Sequence, residues 1–130
     1  MALVVREWLE AYRQAWEQAD AEQAASLFTE DAQYRSNIYE EPHRGRDGVH
    51  EYWSGVTSVQ SDVSVVMGEP FVDGDRVAAE FWTRMAINGA PVTLSGCLLL
   101  EFDGAGLCRR LREYWNLIDG TVAPPDVYGT

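Results

Sequence analysis

The feature that most constrains this chain lies in its second half, where apolar residues recur at every second position across three stretches joined by tight turns. Val77, Ala79, Phe81, Thr83 and Met85 share one face of the first stretch, with Glu80, Trp82 and Arg84 on the other. Asn88-Gly89 then supplies a two-residue hairpin turn, since both residues accept positive φ. Leu94, Gly96, Leu98, Leu100 and Phe102 align in the second stretch, Val92 to Phe102, and Asp103-Gly-Ala-Gly106 returns the chain into the third. Strands joined so closely pair antiparallel. An earlier alternation at Val63, Val65 and Met67, closed by Pro70 and Asp73-Gly74-Asp75, adds another strand.

The first half has the other period. Trp8, Tyr12, Ala15, Trp16 and Ala19 recur at helical spacing over about residues 4–19. Asp20-Ala-Glu-Gln23 is a capping-box pattern that opens a second helix, with Ala24, Leu27 and Phe28 on its apolar side. Residues 34–39 read as a short strand, and Asp47 as the cap of a third helix carrying Val49, Tyr52, Trp53 and Val56. Helices first and hairpins after predict an α+β fold, a curved antiparallel sheet with the helices against its concave side. Residues 1–130 form one domain, and 118–130, with Pro124-Pro125, an irregular tail.

The third stretch, Leu107 to Asn116, carries the chemistry. Strand alternation puts Leu107, Arg109, Leu111, Glu113 and Trp115 on one face, and Cys108, Arg110, Arg112, Tyr114 and Asn116 on the other. The first face suits the interior, so Glu113 is a carboxyl group aimed into apolar surroundings. It is either tied up by hydrogen bonds or functional: a proton-transfer group with a raised pKa, against a glutamate paired with Arg109 on the same face or turned outward by a bulge. Tyr34 is the candidate hydrogen-bond donor to a ligand oxygen, and Tyr12, Trp16, Trp53, Phe81, Thr83, Met85, Leu111 and Trp115 are the candidate ligand wall. His43 lies in a charged loop, and His50 on the solvent side of the third helix.

The net charge of −11 argues against nucleic acid and anionic membranes as partners. The apolar N-terminal run, residues 1–5, is too short for a signal peptide or a span. Cys97 and Cys108 lack metal spacing and fit reduced thiols in a cytoplasmic protein. His50-Glu51 lacks a second helical histidine, so neither metal nor cofactor is expected. Trp82 and Leu99 on outward strand faces predict a homodimer interface.

Three strings carry a family resemblance: Leu27-Phe-Thr-Glu-Asp31 before a strand, Gly45-Arg-Asp-Gly-Val49 opening a helix, and Gly106 through Arg112-Glu-Tyr-Trp-Asn116. With the element order, they resemble the SnoaL-like branch of the nuclear transport factor 2-like superfamily over about Trp8 to Leu117. The resemblance implies a cone-shaped half-barrel with a deep apolar pocket, commonly dimeric through the outer sheet face. This fold hosts isomerases, dehydratases, cyclases, epoxide hydrolases and binders without catalysis. Against the limonene epoxide hydrolase pattern, Tyr34 matches the water-holding tyrosine, Ser36 or Asn37 the asparagine, and Glu113 the water-activating aspartate. The Arg-x-Asp positions fall at about Phe81 and Thr83, and neither can act as a general acid. The base of SnoaL-type cyclases falls at Asn116, which cannot accept a proton at neutral pH.

These readings predict a pocket for a small, largely apolar ligand (polyketide-, terpene- or steroid-like), with Glu113, Tyr34 and Asn37 as the catalytic group. The chemistry would be cofactor-independent isomerisation, cyclisation or dehydration; the competing reading is a carrier without turnover.

Overall fold

The computed structural model describes residues 2–130 and, within α1, side chains from Val4 onward. Three helices, α1 (Ala2–Glu17), α2 (Ala21–Ser26) and α3 (Gly45–Thr57), cover one face of a seven-stranded sheet. Its strands are β1 (Phe28–Arg35), β2 (His43–Arg44), β3 (Gln60–Met67), β4 (Phe71–Asp73), β5 (Arg76–Ile87), β6 (Ala90–Phe102) and β7 (Cys108–Asp119). They lie in the order β2-β1-β7-β6-β5-β3, with β4 also on β5. All pairings are antiparallel except β1 with β7, which are parallel. The sheet is curved and unclosed, as the alternation and the helix order predict.

The period-two stretches form β5 to β7, and Asn88 (φ 50°) with Gly89 (φ 82°) makes their first turn with both φ angles positive. Asp20 caps α2 through a bond from the Gln23 N–H (3.0 Å), while the Gln23 amide turns to the Ala11 carbonyl instead of completing a box. Several boundaries differ from the sequence reading: α1 ends at Glu17, and the strand read over residues 34–39 is instead Phe28–Arg35, with a turn after it. Phe28 belongs to β1, whose strand starts there because it pairs with Cys108 at the start of β7. The cap of α3 is Arg44, and Asp47 sits within the first turn, where its charge still favours the helix N-terminus.

Aromatic edges set α1 on the sheet. Trp8 meets Phe28 and Phe102 edge-on, and Trp16 lies 5.7 Å from Phe81. At the end of α1, Glu17 accepts the Val65 N–H (2.8 Å) and satisfies a donor on β3, the edge strand.

The segment after β7 folds back over the outer face of the sheet. Trp82 donates its indole N–H to the Val122 carbonyl, and its ring meets Tyr128 edge-on at 4.9 Å. The Tyr128 hydroxyl in turn reaches the carbonyls of Phe81 (2.6 Å) and Gly96 (3.0 Å). Trp82 thus packs against residues of its own chain and stays partly exposed. β7 also runs on to Asp119, so the irregular segment is 120–130.

Gly96 gives the ring of Phe81 its place. A Cβ there would lie 2.4 Å from the Tyr114 carbonyl oxygen and 2.9 Å from Phe81 Cζ. Gly96→Ala should therefore cost about 1–3 kcal/mol in chemical denaturation. Gly55→Ala should instead stabilise by up to about 1 kcal/mol, because its Cβ meets nothing within 4 Å and α3 gains a better helix former.

Candidate functional site

One residue of irregularity decides what β7 points inward. Glu101 pairs with Arg110 but Phe102 pairs with Cys108, so Arg109 is the extra residue of a β-bulge. Cys108 is consequently buried and Arg109 exposed, the reverse of a regular strand. Beyond the bulge the alternation holds, and Leu111 and Glu113 are buried, with Leu98 opposite Glu113 on β6. Arg109 pairs with Asp75 (2.7 Å), which removes it as the partner of Glu113.

Glu113 meets two phenols instead. Tyr34, held on β1 opposite Leu111, donates to Glu113 Oε1 at 2.5 Å. Tyr12, from the middle of α1, lies 3.3 Å from the same oxygen and 3.0 Å from the Tyr34 hydroxyl. Three oxygens from three elements close a ring. Oε2 has no hydrogen-bond partner among the described residues, and Glu113 keeps 8% of its surface exposed.

Loss of hydration pushes the Glu113 carboxyl up to about 7, against the smaller opposing pull of the bonds from Tyr34 and Tyr12. Both tyrosines are raised well above the ordinary phenol range, first by burial and then by the neighbouring carboxylate charge. Tyr52 is raised for the same two reasons. Near neutral pH the phenols keep their protons, and the carboxyl is the group that titrates.

Of the expected wall, Tyr12, Trp16, Trp53, Phe81, Thr83, Met85 and Leu111 are buried. Tyr12, Trp16 and Trp53 meet edge-on within 5.4–6.3 Å, so their rings pack against one another beside Glu113. Two polar atoms in this packing lack partners, the Trp53 indole Nε1 and Thr83 Oγ1.

Two candidates stand elsewhere. Asn37 sits in the turn after β1, where its Oδ1 accepts the Tyr39 N–H and its amide reaches Glu40. That local turn chemistry, common for asparagine, takes it away from Glu113. Trp115 has the inward phase but is not buried. It is 44% exposed, and its indole donates to the Ser36 carbonyl (2.6 Å).

The sequence reading missed Tyr52 and the hydroxyl role of Tyr12. Helical spacing shows that both face the core but cannot show which oxygen a phenol reaches. Tyr52 packs 5.0 Å from the Tyr34 ring and 4.6 Å from His43. A recess of about 480 Å³ is lined by His43, Arg44, Gly48, Glu51, Tyr52, Gly55 and Val56. His43 is therefore a packed ring rather than a free loop side chain. Among the described residues, no group of three or more His, Cys, Asp or Glu side chains is placed to hold a metal ion, and no helix is long and apolar enough to cross a membrane.

The family profile of the SnoaL-like domain matches residues 9–111. The chain belongs to the SnoaL-like domain family. The profile match ends two residues before Glu113. Solved structures share the SnoaL-like fold. One is the SalBIII epoxide hydrolase/cyclase-like enzyme of pyran ring formation in polyether salinomycin, with TM-score 0.77, 18% identity and coverage of 88% of this chain and 95% of that one. Another is a protein of Catenulispora acidiphila with a ketosteroid isomerase-like fold, in complex with trimethylamine, with TM-score 0.75, 22% identity and coverage of 83% and 84%. A third is an M. tuberculosis LEH-like epoxide hydrolase, with TM-score 0.73, 18% identity and coverage of 88% and 84%. No functionally curated protein matches the sequence.

The raised carboxyl makes stability pH-dependent. The folded chain holds its Glu113 proton to about pH 7, whereas the unfolded chain releases it near the ordinary 4.5. Between those values the folded state binds more protons, so this group's contribution to stability falls as pH rises, by about 3 kcal/mol in all. Glu113→Gln keeps an acceptor for Tyr34 and cannot ionise. Its melting temperature should match wild type near pH 4.5 and exceed it at pH 8.

Proposed function

We propose that this SnoaL-like protein binds a small, largely apolar organic molecule and moves a proton to or from it at Glu113 without a cofactor. The reaction class is isomerisation, cyclisation or dehydration. One observation carries the reading: a buried carboxyl, held near neutral pKa by burial, presents an unpartnered oxygen while its other oxygen is fixed by phenols. Such a group accepts a proton as the carboxylate and returns it as the acid within the same pH range. Tyr34 assists through the carboxyl, and Asn37 has no part in the step. Trp53 Nε1, which can only donate, and Thr83 Oγ1 would take a ligand oxygen deep in the cone. Entry requires the ring of Tyr52 to swing into the adjoining recess.

The relatives with catalytic descriptions support a catalytic fold type only, because their identity to this chain is below 25%. A second reading, a carrier without turnover, draws on the ring packing and on phenols turned to the carboxyl rather than toward a ligand. Glu113→Gln separates the two. With a substrate identified by co-purification and mass spectrometry, turnover should fall about 100-fold or more while affinity changes little. Wild-type activity should show a pH limb near 7. Full turnover in the variant would remove Glu113 as the proton carrier.

The protein also self-associates through the outer face of β4 to β7 in this reading. Phe71 is 64% exposed there and lines a recess of about 470 Å³ with Val72, Ala78 and Leu99, rimmed by Asp73, Arg76, Glu101 and Arg112. Light scattering at tens of micromolar should give a dimer, and Leu99→Glu a monomer.

A further inference from the structure

We infer that Tyr12 is a positioning residue that fixes Oε2 as the working oxygen of Glu113: with Tyr34 it closes a ring of three oxygens that pins Oε1 and leaves Oε2 to gain and lose the proton. The inference deepens the proposed role of Glu113 and rests on it.

Tyr12 and Tyr34 bring one hydroxyl proton each, and the ring has three edges, at 2.5, 3.0 and 3.3 Å. The shortest edge takes the Tyr34 proton to Oε1. The Tyr12 proton then goes to the Tyr34 oxygen at 3.0 Å or is shared with Oε1 at 3.3 Å. In either arrangement Oε1 only accepts, and neither phenol needs to turn when a proton arrives at Oε2. In the proposed step a ligand C–H bond breaks, its electron pair stays on the ligand, and the proton forms the Oε2–H bond; return to another ligand atom reverses this. The phenolic protons stay in place throughout. Both phenols titrate far above neutral pH, which agrees with that division of labour.

Tyr12 fits the role by its place as well as its oxygen. Its ring is held by Trp8, stacked at 5.2 Å, and by Trp53, edge-on at 5.4 Å. The hydroxyl therefore has little freedom to leave. The other groups facing Glu113 are few. α3 contributes Tyr52, β6 contributes apolar Leu98, and β1 contributes Tyr34, whose ring also meets His43 at 6.3 Å. On β7 itself, Arg109 and Arg110 pair with Asp75 and Glu101, and Arg112 lies on the outward phase.

The test needs no substrate. The Glu113 carboxyl carbon is followed by NMR in protein labelled with ¹³C-glutamate, with Glu113→Gln identifying the resonance. Wild type should titrate near pH 7. Tyr12→Phe keeps the packed ring and removes the hydroxyl, so the anion is less stabilised and the midpoint should move to higher pH. Tyr34→Phe, which removes the shorter bond, should move it further. A folded Tyr12→Phe protein with an unchanged or lower midpoint overturns the inference, because a merely structural tyrosine would alter stability alone. If Tyr12→Phe does not fold, the wild-type hydroxyl protons decide. Two slowly exchanging downfield hydroxyl resonances should persist on both sides of the Glu113 midpoint. Loss of either one as the carboxyl ionises would show that the ring re-forms, and would overturn the inference. Absence of turnover on any substrate leaves these readings intact, whereas an unmoved midpoint removes Tyr12 even from an active enzyme.

Discussion

Taking the Glu113 carboxyl out of water is costly, and the surrounding structure depends on how that cost is met. Desolvation of a carboxylate is tolerated only where hydrogen bonds replace water or the group takes up a proton. Here both happen in part. Two phenols bond one oxygen, and the pKa settles near 7. Because the donors come from α1 and β1 and the acceptor from β7, the ring also ties three separate elements at one point. The aromatic edges of Trp8, Trp16 and Phe81 bring α1 close to the sheet; the hydroxyl of Tyr12 specifies where along the sheet it rests.

Much of the scaffold was legible in the sequence because it rests on periodicity. Alternation at Val77–Met85 and Leu94–Phe102, the Asn88-Gly89 turn and the helical stripe from Trp8 to Trp16 each map onto an element. Glu113 was found by the same means. What escaped were features set by contacts between distant segments. The start of β1 at Phe28 depends on pairing with Cys108. Trp82 looks unpartnered until residues 120–130 fold over it. Asn37 has the right residue type near Tyr34, yet its side chain is spent on the turn it occupies. The aromatic stripes of α1 and α3 read equally well as the lining of a pocket or its filling, and periodicity does not show that their rings meet one another.

Membership of the SnoaL-like family accounts for the scaffold and leaves the chemistry to the site. The titrating group, Glu113, lies two residues beyond the family match. Its partners are phenols rather than a second carboxyl or a cation.

The bulge at Arg109 has a consequence for how freely the neighbouring turn can vary. A strand that alternates strictly transmits any change in length to every later residue, and a slip of one position would send Glu113 to solvent and Arg112 into the aromatic core. The unpaired residue between Cys108 and Arg110 breaks that transmission. It acts as a phase adjuster: the hairpin at 103–107 can lengthen or shorten against the bulge, while the pairing from Arg110 onward, and with it the direction of the carboxyl, stays in step.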